Sequence, residues 1–326
     1  MYIKELKFSL WADFIERDYL DNEFKELISQ GIVNGATSNP AIFKNAILNS
    51  EAYKEQLSNL DGLSPKEKYE AVAIFDIQKA ADILKPLHDK GDDGYVSIEV
   101  DPYLCDDAIE TIKEGRRLFE TIGRNNVMIK VPATKAGYEA MKELVACGIP
   151  VNATLVFSRE QAVACAKAFE MGLSKSEIKV DTVISVFVSR IDRAIDKTLS
   201  ECGVDTGLTG IYNTSKIYEA IEKMKVDRCR VLFASTGVKD DSLPAHYYVK
   251  ELLAYNSVNT APIDTIKAFY KSGDKDAVLP ISQDVIKEHL KKVQDVGINL
   301  NEVIQVQISD GLKAFKKAFK EILESL

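Results

Sequence analysis

The chain reads as short apolar runs alternating with longer stretches of helical period. The runs are FSLWAD (8–13), VNGATS (33–38), YVSIEVD (95–101), VMIKVPAT (127–134), IPVNATLVFS (149–158), DTVISVFVSR (181–190), RVLFAST (230–236) and SVNTAP (257–262). Continuous apolar runs between helices are the pattern of parallel strands covered on both faces. SPKE (64–67) is a capping box with proline at the first helical position. It opens PKEKYEAVAIFDIQKAADILKPL, where Ala71, Ile74, Phe75, Ile77 and Ala81 are spaced for a buried stripe. SREQ (158–161) is a second box, directly after a strand. Residues 309–326 put Leu312, Phe315, Phe319, Ile322 and Leu326 on one face, as in a terminal helix packed on the body. ECGVDTGLTGIYN (201–213) reads as a loop insertion. Eight strands alternating with helices predict an α/β fold, a (β/α)8 TIM barrel with additional C-terminal helices. No linker is rich enough in Pro, Gly or Ser to mark a boundary. The expected organisation is one unit over 1–326, with 282–326 as a helical extension.

Composition narrows the partners. The chain has 326 residues, 46% hydrophobic and 28% charged, with a formal net charge of -8. That balance opposes nucleic acid or an anionic membrane as the main partner, because both need a basic footprint. An anionic substrate must then be held by a local basic pocket. No apolar run approaches the ~18 residues of a membrane span. The five cysteines are odd in number and form no C-x-x-C, and acidic residues come too early for a secretory leader. Together these point to a reducing, cytoplasmic setting. The three histidines (His88, His246, His289) are far apart, so no metal site built on them is expected. The usual nucleotide-binding glycine loops are absent.

The chemistry of a barrel sits at the C-terminal ends of its strands. Polar residues cluster in or after the runs: Asp13, Thr37, Ser38, Asn39, Glu99, Asp101, Lys130, Asn152, Thr154, Ser185, Arg190, Ser235 and Thr236. Lys130 stands near the centre of the apolar run VMIKV. Its ammonium could pair with Glu99 or reach solvent along its own stem. A buried pair alone stabilises little, because desolvation consumes much of the Coulomb gain. The functional alternative is an amine whose apolar surroundings disfavour its charged form. Such an amine forms Schiff bases with carbonyl substrates. Alternation along strands puts Lys130 with Met128 and Pro132, and Glu99 with Ser97 and Asp101. Which face points inward is left open by the pattern alone.

The segments GATSNPAIFK (35–44), SIEVDP (97–102), NVMIKVPAT (126–134), VNATLVFS (151–158) and ISVFVSRID (184–192) resemble those of the transaldolases, in order, from Leu10 to about Ala261. The resemblance implies that Lys130 is the Schiff-base lysine. Glu99 and Thr154 match the acid and hydroxyl that position a catalytic water, and Asp13 the proton acceptor of carbon–carbon cleavage. In this chain Asp13 sits in WADF, where many members have threonine after the aspartate. Asn39 and Asn152 match amides that bind the dihydroxyacetone unit; Asn39, before Pro40, also suits turn and cap chemistry. Ser185 and Phe187 match a substrate-binding serine and an aromatic wall. Related fructose-6-phosphate aldolases usually carry tyrosine at the latter, so Phe187 favours the transferase. Arg190 and Ser235 match phosphate contacts. Where one branch has arginine two places after that serine, this chain has Gly237, and ASTGVKD (234–240) offers Lys239 instead, as in another bacterial branch.

The resemblance implies transfer of a dihydroxyacetone unit between sugar phosphates in the non-oxidative pentose phosphate pathway. No cofactor is needed, since the Schiff base is the electron sink. Expected partners are sugar phosphates, with neither nucleic acid nor membrane, and the chain would act as a homodimer or a monomer. The alternatives are a Schiff-base lyase like fructose-6-phosphate aldolase, a non-catalytic sugar-phosphate-binding barrel and a sugar-phosphate isomerase. Neither of the last two needs a mid-strand lysine.

Overall fold

The computed structural model describes residues 1–239 and 242–326. Each of the eight apolar runs coincides with a strand, β7 starting one residue before its run: β1 (Ser9–Ala12), β2 (Gly35–Thr37), β3 (Tyr95–Glu99), β4 (Val127–Pro132), β5 (Val151–Val156), β6 (Thr182–Phe187), β7 (Cys229–Ala234) and β8 (Ser257–Ala261). Each strand pairs in parallel with the next, and β8 returns to β1 to close a barrel. Helices lie between the strands, which makes this a (β/α)8 barrel.

Period-two alternation sorts the strand residues into two apolar clusters. Leu10, Ala12, Val96, Ile98, Ile129 and Val131 pack outward with the helices. Trp11, Tyr95, Met128, Val183, Leu232 and Val258 pack inside the barrel. That partition fixes the face left open by sequence. Lys130 follows Met128 by two residues, and Glu99 follows Tyr95 by four, so both point inward.

The N-terminal end of the barrel is plugged by a polar lattice under Trp11. The Trp11 Nε1–H donates to Asp93 (3.0 Å), which also takes Arg230 Nη2 at 2.6 Å. The Tyr95 hydroxyl donates to Asp181 at 2.7 Å. Gly35 is required here, since a Cβ on it would lie 2.7 Å from the Trp11 indole.

Two local expectations need correction. The helix Pro65–His88 forms with its capping box intact, but its buried stripe is Tyr69, Val72, Ala73, Asp76, Ile77, Ala80, Ala81 and Leu84. Phase is shifted because a carboxylate belongs to the buried face: Asp76 is fully buried, taking Arg17 Nε and the Tyr53 hydroxyl, each at 2.8 Å. Phe75 is left 47% exposed. The segment read as a loop over 201–213 ends sooner, because Thr209 already begins the helix Thr209–Met224. Asp192 fixes that start by accepting the Gly210 N–H at 2.7 Å.

The last helix, Leu300–Ser325, begins nine residues before the stretch singled out in the sequence. It buries Phe315, Phe319 and Ile322 as the spacing predicts. It lies against the helices Pro40–Asn49, Pro65–His88 and Ser189–Glu201 and against β5. Phe319 meets the Tyr69 ring edge-on at 5.2 Å, and Lys44 pairs with Glu321 at 2.7 Å. At Gly311 the contact is so close that a Cβ would stand 2.9 Å from Leu155 Cδ2. This helix therefore crosses the end of the barrel where the strands finish.

Candidate active site

Strand register sets the centre of the site. Glu99 pairs with Lys130 and Lys130 with Asn152, so the three occupy one layer. Lys130 is 4% exposed, and its Nζ donates to the Ser38 carbonyl at 3.0 Å. The nearest Glu99 oxygen lies 3.8 Å from Nζ. That is too far for a hydrogen bond, so this is a loose contact and no tight ion pair. Burial pushes the Glu99 carboxyl up to about 8, against the pull of Lys130 and with a smaller upward push from Asp13. At neutral pH Glu99 is thus mostly a neutral acid, able to donate a proton. Neither Glu99 oxygen nor the buried Thr154 hydroxyl has a hydrogen-bond partner among the described residues. β5 is irregular just beyond, with a register shift between Ala153 and Val156 and Leu155 at φ +57°. The irregularity turns Leu155 into the inner cluster with Phe157 and Phe187.

Asp13 follows β1 and is oriented by a chain of hydroxyls. Thr37 Oγ1 donates to Asp13 Oδ1 at 2.7 Å and lies 2.6 Å from Thr260 Oγ1. A hydroxyl has one proton, so Thr260 must be the donor to Thr37. A second chain ties neighbouring strands together. Ser185 donates to Asn152 Oδ1 at 2.6 Å, and Asn152 Nδ2 donates to Ser97 Oγ at 3.1 Å. Asn39 caps the helix Pro40–Asn49 by accepting the Ile42 N–H at 3.1 Å. Its Nδ2 is then the group it has left to offer.

The other end of the site is cationic. Arg190 opens the helix Ser189–Glu201, with its guanidinium carbon 5.1 Å from the centre of the Phe187 ring. Burial, and then the neighbouring Arg193, make its charge less favourable, while Asp13 favours it. Ser235 adopts φ +54°, and its hydroxyl lies 3.1 Å from that of Ser189. Gly237 packs against Pro262, where a Cβ would come within 2.9 Å of Cγ. No arginine fits at 237 without moving Pro262, and the exposed Lys239 lies just beyond.

These parts share one cavity of about 590 Å³. Asp13, Asn39, Lys130, Ser185, Phe187, Arg190, Ser235 and Lys239 line it. Asn152, Thr154 and Glu99 are buried beside it and do not form its wall. The C-terminal helix supplies Gln307, Asp310, Ala314 and Phe315, the last with its ring centre 6.0 Å from Lys130 Nζ. A roomier cavity of about 690 Å³ opens at the opposite end of the barrel, beside Asp93, Tyr95 and Arg230. Its lining includes no counterpart of the Lys130–Glu99 pair.

A family model described as "Transaldolase/Fructose-6-phosphate aldolase" matches residues 10–326. The chain belongs to this transaldolase/fructose-6-phosphate aldolase family. Proteins named transaldolase show the same relationship over their full length. One from Campylobacter jejuni (strain 81116 / NCTC 11828) is 47% identical, covering 98% of this chain and 99% of its own. Two from Helicobacter pylori, strains 26695 and P12, are 42% and 41% identical, each covering 98% of this chain and 99% of its own.

Within the family frame, two polar residues at strand ends prove to serve elsewhere. Asp101 pairs with Lys66 at 2.7 Å, and the Thr236 hydroxyl lies 2.8 Å from Asn259 Oδ1 and 3.0 Å from the Thr260 carbonyl, its one proton shared between these two acceptors. The pattern along the chain assigns Thr37 no role and does not single out Thr260 or Arg193. Arg193 could have been found as the residue one turn beyond Arg190. Thr260 had no local signal, since its partner is 223 residues away.

Proposed function

We propose that the protein is a transaldolase, moving a dihydroxyacetone unit from a ketose phosphate to an aldose phosphate through a Schiff base on Lys130. The observation that carries this reading is the buried Lys130 amine, 3.8 Å from a carboxyl raised to about 8, in a cavity shared with Asp13 and Arg190.

The uncharged Lys130 amine attacks the ketone carbon of sedoheptulose 7-phosphate or fructose 6-phosphate. Glu99 and Thr154 handle the protons, through a water, as the carbinolamine loses its hydroxyl. The resulting iminium draws electrons from the bond between the third and fourth carbons. Asp13, held by Thr37, takes the proton of the fourth-carbon hydroxyl, and that bond breaks. An aldose phosphate leaves, and the dihydroxyacetone unit stays on Lys130 as an enamine. The enamine carbon then attacks the aldehyde of glyceraldehyde 3-phosphate or erythrose 4-phosphate, Asp13 returns its proton, and water releases the new ketose. Arg190, Ser235 and Lys239 hold the phosphate, where a guanidinium suits bidentate recognition. Ser185, Asn39 and Asn152 hold hydroxyls of the transferred unit, and Phe187 forms its wall. The reaction belongs to the non-oxidative pentose phosphate pathway and takes place in the cytoplasm. Five unpaired cysteines fit a reducing compartment. Among the described residues no helix is long and apolar enough to cross a membrane.

Borohydride trapping with fructose 6-phosphate, followed by peptide mass spectrometry, tests the reading. A reduced dihydroxyacetone adduct on Lys130, discharged when erythrose 4-phosphate precedes the borohydride, is the expected result. Folded protein that forms no adduct would sink the mechanism.

A further inference from the structure

A transferase that holds an enamine on lysine has to keep solvent from protonating the enamine carbon before an aldehyde arrives, while the water beside Glu99 and Thr154 still serves the Schiff base itself. Hydrolysis protonates the enamine carbon, adds water at the iminium carbon, and expels free dihydroxyacetone from the regenerated amine. The transfer reaction needs the same intermediate to survive until an aldehyde arrives. Apolar cover over the lysine discriminates between the two fates, because an aldose phosphate can be held by the cationic end of the cavity and a water cannot.

The cover comes from outside the barrel. Gly311 brings the C-terminal helix onto the bulge of β5, with its Cβ position 2.9 Å from Leu155 Cδ2 and 3.6 Å from Arg190 Nη1. One turn later Phe315, 5% exposed, brings its ring centre to 6.0 Å from Lys130 Nζ. It joins the inner apolar cluster of Leu155, Phe157 and Phe187, in which the two phenylalanine rings lie 5.3 Å apart. The helix is fixed in place by the contact of Phe319 with Tyr69, the Lys44–Glu321 pair and the Lys68 bond to the Leu326 carbonyl at 3.0 Å.

We propose that Phe315, held over Lys130 by the C-terminal helix, shields the enamine carbon of the lysine-bound intermediate from protonation by bulk solvent and so commits its three-carbon unit to an aldehyde acceptor. This role rests on the Schiff-base reading above. Phe315 is a specificity-determining residue: it selects between transfer and hydrolysis without handling a proton.

The test measures free dihydroxyacetone released from fructose 6-phosphate with no acceptor present, beside transfer to erythrose 4-phosphate. Phe315→Ala should raise release about tenfold or more relative to transfer. Phe315→Leu, which keeps the core filled, should raise it by about threefold and decides the matter if the alanine variant does not fold. An unchanged ratio in a folded variant that still forms the Lys130 adduct overturns the proposal and leaves the Schiff base intact. Absence of the adduct in the wild-type protein would instead overturn the mechanism on which it rests.

Discussion

At the scale of single residues, the site depends on which groups carry protons. Glu99 is protonated in the fold up to about pH 8, whereas a carboxyl in the unfolded chain ionises near 4.3. Between those values the unfolded chain holds fewer protons, so Glu99 makes stability fall as pH rises from about 4.3 to about 8. Glu99→Gln removes that dependence. Its melting temperature should match wild type near pH 4 and exceed it increasingly up to pH 8, as thermal melts across pH would record. The same variant should lose about 10²-fold or more in transfer rate, since the acid is gone. Wild-type turnover should decline above pH 8 for the same reason. Thr37→Val takes away the hydroxyl bound to Asp13 and should lower kcat roughly 10- to 100-fold with KM little changed, in steady-state assays. Lys130 was legible in the sequence because an ammonium in an apolar run is anomalous wherever it points. Thr37 and Thr260 were not, since threonine is an ordinary strand residue and its role depended on a contact between distant strands.

At the scale of elements, the strands were legible because burial on both faces keeps the runs mainly apolar, so that their few polar positions, such as Lys130 and Asn152, stand out. The helix Pro65–His88 was legible in its ends and misread in its phase. Capping is local, whereas the buried face was decided by Arg17 and Tyr53, which satisfy Asp76 from other segments. The C-terminal helix was legible as an amphipathic element, but spacing cannot say which part of the body a face meets. Its hold on the barrel is testable. Phe319→Ala opens a cavity against Tyr69 and should cost about 3–5 kcal/mol in denaturant unfolding. It should also raise dihydroxyacetone release, because Phe315 lies one turn away on the same helix.

At the scale of the whole molecule, the two ends of the barrel do different work. The N-terminal end is locked by Asp93 between Trp11 and Arg230, and the other end holds the cavity lined by Lys130, Asp13 and Arg190. Asp93→Ala strands a mostly buried guanidinium and an indole N–H, and should destabilise by about 3–5 kcal/mol. Per folded molecule its kcat should stay at the wild-type value, as active-site titration by borohydride trapping would show. The closure of the barrel has a consequence for synthesis. β1 pairs with β8, Ser9 beside Val258, so the first strand waits with an open edge until nearly the whole chain has left the ribosome. The Thr260–Thr37–Asp13 relay spans that same seam. A nascent or truncated chain can carry Lys130, but the hydroxyl chain that orients Asp13 is complete only when the last strand arrives, and Phe315 reaches the lysine later still.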